Sequence, residues 1–154
     1  MKKRIPYAPI RVLALYDYKG WAWWHRLHNI KRYLPDDIDL DIREVYENFM
    51  IDDYDLFMVF EEYLIPLLQY LPPQRLISGS SCARIACAAA KAQTEKRCTA
   101  TVFNSLEMYK AAGALPGMYC CQNGVDSAFF TPADQRPAQL TACWVGNSKS
   151  ICCK

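Results

Sequence analysis

Glycine is scarce in this chain, six residues in 154, and the shortage excludes some chemistry. A dinucleotide fingerprint needs glycines at G-x-G-x-x-G spacing, for a tight turn and a close approach of backbone to pyrophosphate. The loop after the first strand-like run, DYKG (17–20), holds one. NAD-type cofactor binding is therefore disfavoured, and no cofactor is expected. Histidine is scarcer still: His25 and His28 are the only two. No histidine is left to complete a zinc site further along, although there are eight cysteines. The adjacent pairs 120–121 and 152–153 and the gap between Cys82 and Cys87 match no usual zinc spacing. No metal is expected. The thiols read as reduced and structural, with Cys98 and Cys120 serving as small hydrophobes in or beside strand-like runs.

Other absences narrow the field further. No Ser/His/Asp order, GxSxG elbow or Walker loop is present, so hydrolase and kinase readings have no support. No apolar run approaches the roughly 20 residues of a membrane span. The start is basic and then apolar, but Pro6 and Pro9 interrupt it, so Met1 to Pro9 reads as a lead-in and not as a signal peptide. A soluble, cytoplasmic protein is the expectation. The 18 basic residues are interspersed with 16 acidic ones. With no basic stripe, no nucleic-acid partner is expected.

What is present is a globular composition, 52% apolar and 22% charged, in a length that suits one domain with a real core. Short apolar runs alternate with helix-like segments. IRVLALY (10–16) reads as a strand, followed by a glycine turn and a helix over 21–34. IDLDIREV (38–45) alternates as a half-covered, edge-like strand. YDLFMVF (54–60) is a strand buried on both faces. EEYLIPLLQYL follows as a short helix closed by Pro72 and Pro73. Strands over 74–79, 97–104 and 117–122 then take turns with helices over 83–91 and 105–113. Asn104 or Ser105 caps the last helix and Gly113 ends it. This alternation predicts an α/β fold, a Rossmann-like parallel sheet with helices on both faces.

The helix over 21–34 carries more. At about 100° per residue, Trp23, Leu27, Ile30 and Leu34 form the core stripe, and Trp21, Trp24, His25 and His28 fall on roughly the opposite side. Three readings stay open: cover by a neighbouring element, a ligand face, or a protein interface. The ligand reading draws on position, because this helix starts at the carboxyl edge of the sheet, where open α/β folds bind ligands. Indole stacks on sugar rings, and imidazole exchanges hydrogen bonds with hydroxyls. Glu61 and Glu62 read as an acid/base pair or, preferably, as carboxylates favoured by a helix's first turn.

Three stretches then follow in order: VFNSLEMYKAAG, YCCQNGVDSAFFTP and ACWVGNSKS. Asn104-Ser105, Asn123 to Asp126, Phe130-x-Pro132 and Trp144 to Gly146 together resemble the joint between the two domains of GT-B glycosyltransferases of the group 1 family. The resemblance implies a single N-terminal half of a GT-B fold over 1–132, with 133–154 a linker and the first strand of a C-terminal domain. It implies a nucleotide-sugar donor and an acceptor as partners, the acceptor bound by loops that follow the strands. By position Lys19, Gly20 and the Trp24, His25 and His28 face correspond to that region, although only the glycine-containing loop is a family-like feature; Glu61, Asn104 and Ser105 are further candidate substrate-binding residues. Asn123, Gly124 and Asp126 become an interdomain hinge in preference to a hairpin turn. The family's donor-gripping basic and glutamate pairs have no counterpart here, so the isolated chain is expected to be inactive. A non-catalytic Rossmann-like binding module is the alternative. A separate C-terminal-domain chain and a peripheral membrane contact stay open as further partners.

Overall fold

The computed structural model describes residues 8–60, 69–80, 90–91, 95–122 and 124. The chain divides into two compact units, Met1–Asn123 and Gly124–Lys154, and the sheet belongs to the first. Its strands are β1 (Ile10–Tyr16), β2 (Ile38–Glu44), β3 (Leu56–Val59), β4 (Leu76–Ser80), β5 (Ala100–Phe103) and β6 (Met118–Cys120). All pairings are parallel, in the order β2-β1-β3-β4-β5-β6. The α/β, Rossmann-like expectation is met, and β2 is an edge strand as its alternating pattern indicates.

Parallel register places partner side chains on a common face. Leu13, Phe57 and Leu76 are aligned across three strands, as are Leu15, Val59, Ser78 and Thr101 on the same face. All are buried. Fully burying an apolar side chain of this size stabilises by roughly 1.5–3 kcal/mol, so the centre of the sheet holds the fold. The opposite face carries Val12, Ala14, Tyr16, Leu40 and Phe60, covered by the helix α1 (Ala22–Arg32) through Trp23 and Leu27. Helix α2 (Leu106–Ala111) packs on the first face near Phe103 and Met118. Helices thus lie on both faces. No helix among the described residues is long and apolar enough to cross a membrane.

The β2–β3 crossover has no α-helix. Its irregular chain carries a single 3-10 turn, Ile51–Asp53, and Val45, Phe49 and Ile51 pack on the face opposite α1. A polar link braces it: the Tyr54 hydroxyl donates to Asp41 Oδ2 at 2.5 Å, and Arg43 Nε donates to the same oxygen at 2.9 Å. Partial burial pushes Asp41 up, but these two donors outweigh it and hold its carboxyl below the usual carboxylate range. A carboxyl lowered in the folded state contributes stability above its unfolded pKa and loses it as pH falls through the folded value. Tyr54→Phe should therefore flatten the acid limb of the stability curve, as checked by urea midpoints measured from neutral pH into the acid range.

Boundaries moved where local chemistry overrides the pattern. Helix α1 stops at Arg32. The fifth strand starts at Ala100 instead of residue 97, because Lys96 sits at φ +56° in a turn. Helix α2 ends as its sequence predicts. Gly113 adopts φ +91°, its N–H donates to the Lys110 carbonyl at 3.0 Å, and the Ala114 N–H donates to that of Tyr109 at 3.2 Å, the paired bonds of a Schellman turn. The helices expected over 61–71 and 83–91 lie outside the described residues, apart from a turn at Gln69 and Tyr70 and helical Ala90 and Lys91. The proposed boundary at 132 and the strand over 139–145 also lie outside them.

Candidate ligand site at the carboxyl edge

Strand order reverses at one place. From β1 the chain steps one way to β2, then returns to put β3 on the other side of β1. In an open α/β sheet this switch point leaves a crevice beyond the carboxyl ends of the two strands. The residues at its mouth come from the loop Asp17–Gly20 after β1 and from Phe60 after β3.

The β1 loop is tightly folded. The Tyr18 N–H donates to Asp17 Oδ1 at 2.8 Å, and the Trp21 N–H donates to the Tyr18 carbonyl at 3.2 Å. Gly20 takes φ +81°, and a Cβ built there would meet nothing within 4 Å. Glycine is needed for the backbone angle, and the space over it is open. On either side of it, Tyr18 and Trp21 are each 57% exposed, with ring centroids 5.5 Å apart. Lys19 and His25 are exposed beside them. Trp21 is the N-cap of α1 and makes no side-chain capping bond, and the first turn holds no acidic residue.

Helix α1 is anchored from below by a stack. Trp23 lies on Phe60 with centroids 3.9 Å apart and planes 19° apart, and the Arg26 guanidinium sits 4.8 Å from the Trp23 ring centroid. Phe60 in turn rests over Gly79 of β4, where a Cβ would come within 2.3 Å of its ring. The Arg26 Nη1 atom is buried without a hydrogen-bond partner.

Trp21, Trp24, His25 and His28 do not share one exposed face. Trp24 and His28 are half-buried, Trp24 packs against the core beneath the helix, and the two rings lie 4.2 Å apart. The His28 Nδ1–H donates to the Trp24 carbonyl at 2.7 Å, so in the neutral ring Nε2 carries the lone pair. His28 is also about 9 Å along the helix from its start, at 1.5 Å per residue, whereas His25 is in the first turn. The stripe expected to be buried is rotated accordingly: Ile30, placed in the core from the sequence, is 41% exposed. At the far end of the helix, Lys31 Nζ donates to the Leu40 carbonyl of β2 at 2.5 Å.

Asn104 and Ser105 leave β5 at the same carboxyl edge. Three strand spacings of about 4.8 Å put them roughly 14 Å from the β1 loop. The Ser105 hydroxyl accepts from the Met108 N–H at 3.5 Å and donates to Glu107, so its side chain caps α2, and its hydrogen bond holds the Glu107 carboxyl below the usual range. The Asn104 Oδ1 atom is buried with no hydrogen-bond partner. Glu61, Asn123 and Asp126 lie outside the described residues; Gly124 is exposed, with open space around it. Among the described residues no group of three or more His, Cys, Asp or Glu side chains could hold a metal.

Of the residues named from the sequence, Lys19, Gly20 and His25 lie exposed in and just after the β1 loop; Tyr18 and Arg26 were not among those named. Tyr18 had a readable signal, an aromatic beside the lone loop glycine. Arg26 had none. The chain matches no family model, no curated protein and no solved structure.

Proposed function

We propose that this chain is the acceptor-binding half of a GT-B, group 1 type glycosyltransferase, taking a saccharide at the β1/β3 switch point. The observation that carries the reading is the coincidence of that switch point with an open glycine turn between two exposed aromatic rings. Sugar rings present apolar C–H faces that stack on aromatic side chains. Lys19 and His25 supply hydrogen bonds to the hydroxyls at the ring's rim. The motif succession from Asn104-Ser105 to Trp144-Val145-Gly146 supports the same reading.

In glycosyl transfer the bond from the sugar's anomeric carbon to the donor phosphate breaks and a bond to an acceptor hydroxyl oxygen forms. This half's part is to hold the acceptor so that its hydroxyl faces the donor, a positioning effect. The test is a two-dimensional NMR titration of the chain with mono- and disaccharides and with nucleotide sugars. The Gly20 amide and the Trp21 indole N–H should shift together. Trp21→Ala should weaken saccharide binding about tenfold, equivalent to about 1.4 kcal/mol. Unmoved Gly20 and Trp21 signals across the whole panel, on a folded sample, would remove the reading.

A further inference from the structure

We propose that Arg26 anchors a small oxyanion, the phosphoryl or carboxylate group of a ligand, at the α1 side of the switch-point crevice. The inference rests on three observations. First, a guanidinium stays charged at every pH a protein tolerates, and Arg26 Nη1 is buried with no hydrogen-bond partner. A buried, unpaired donor on a charged group is rare in folded proteins and marks a place where an acceptor belongs. Second, the guanidinium is held in place: it packs on Trp23, which stacks on Phe60. A planar cation fixed against a ring gives up little freedom when it binds a planar or tetrahedral oxyanion with two parallel N–H bonds. Third, the stack is reached from the carboxyl end of β3, since Phe60 follows Val59 directly, and Arg26 lies about one turn into the helix that follows the β1 loop.

Access is compatible with this role. Arg26 as a residue is half-buried, so solvent reaches part of its side chain. Among the described residues no carboxylate pairs with Arg26, and the first turn of α1 holds no acidic residue. Lys31, on the same helix, is engaged with the Leu40 carbonyl, which leaves Lys19 and His25 as the additional positive or donating groups at the mouth. The proposal deepens the saccharide reading, because it makes the bound sugar an anionic one, but it does not need glycosyl transfer to be correct.

The experiment uses the full chain with inorganic phosphate, pyrophosphate and acetate as probes, read by NMR titration and by thermal shift. Arg26→Lys keeps the charge and the packing of the stem but loses the fork, and Arg26→Gln removes the charge. Wild-type chain should bind at least one probe with shifts at the Arg26 side-chain N–H signals. Arg26→Lys should weaken that binding about fivefold or more, and Arg26→Gln should abolish it. Preference for phosphate or pyrophosphate over acetate assigns the ligand a phosphoryl group, and the reverse preference a carboxylate. Circular dichroism on both variants separates lost binding from lost folding; should Arg26→Gln unfold, Arg26→Lys decides. Absence of binding by the wild type to every probe overturns the proposal, as does equal binding by wild type and Arg26→Lys. Anion binding that survives without any saccharide binding would sink the transferase reading alone, and saccharide binding without anion binding would sink this one alone.

Discussion

Trp23→Ala should cost the fold about 3–5 kcal/mol, in the range measured for emptying a buried aromatic site. The indole is 7% exposed, it is the element of α1 that stacks on Phe60, and with Leu27 it is one of two buried residues through which the helix holds the sheet. Its removal also takes away the surface on which Arg26 lies. Chemical denaturation with a far-ultraviolet readout gives the loss directly. A cost below about 1 kcal/mol would mean that α1 is held by something other than this stack. Trp23→Phe, which keeps a ring, should recover more than half of the lost stability.

Gly79→Ala should be the largest effect of a single added methyl group. A Cβ at this position lies 2.3 Å from Phe60 Cδ1 and 2.8 Å from Cε1, distances that no packed pair of carbons tolerates. The Phe60 ring cannot simply swing away, because Trp23 occupies its other side at stacking distance. Overpacking of a tight core costs about 1–3 kcal/mol, and for a domain of this size a loss near 2 kcal/mol lowers the thermal midpoint by roughly 8 °C. Gly79→Ala combined with Phe60→Leu should lose less than the sum of the two single changes, since the smaller side chain makes room; the double-mutant cycle measures that coupling. Strictly additive losses would show that the two positions do not press on each other.

Both effects come from contacts that no local pattern announces. The alternation of short apolar runs with helix-like segments was enough to read strand number and parallel pairing, because a helical crossover between strands returns the chain to the same edge of the sheet, and the period of two over 38–45 marked β2 as an edge. Gly113 was legible for a related reason: a glycine at the end of a helical run has one common use. Gly79 was not. A glycine inside a strand reads only as a weak strand former, and its reason for being there is a ring 19 positions earlier in the chain. The exposure of Ile30 was equally hidden, since Ile30 belongs to the apolar stripe by periodicity and yet lies 41% exposed. At the candidate site, Lys19 and Gly20 were readable because they lie in the loop that follows a strand, and His25 because it lies in the first turn of the helix after that loop. The Arg26–Trp23–Phe60 stack required the third dimension.

The edge at β2 is guarded by the molecule itself. Strand pairing to β1 runs through odd-numbered residues, as the bonds from Ile10 N–H to the Asp37 carbonyl and from Val45 N–H to the Tyr16 carbonyl show, so the even-numbered amides of β2 look outward. Three of those outward groups are already used: the Ile38 N–H donates to the Pro35 carbonyl, the Leu40 carbonyl accepts from Lys31, and the Glu44 N–H donates to the Glu47 carboxylate. A row of amides left open at the border of a sheet is a template for another chain. Here an incoming strand would have to displace a lysine, a glutamate and a turn before it could form its first regular bonds, and it would meet the charges of Asp39, Asp41 and Arg43 on the way. The lysine that ties α1 to β2 therefore also occupies one of the outward groups from which fibril-like growth would start.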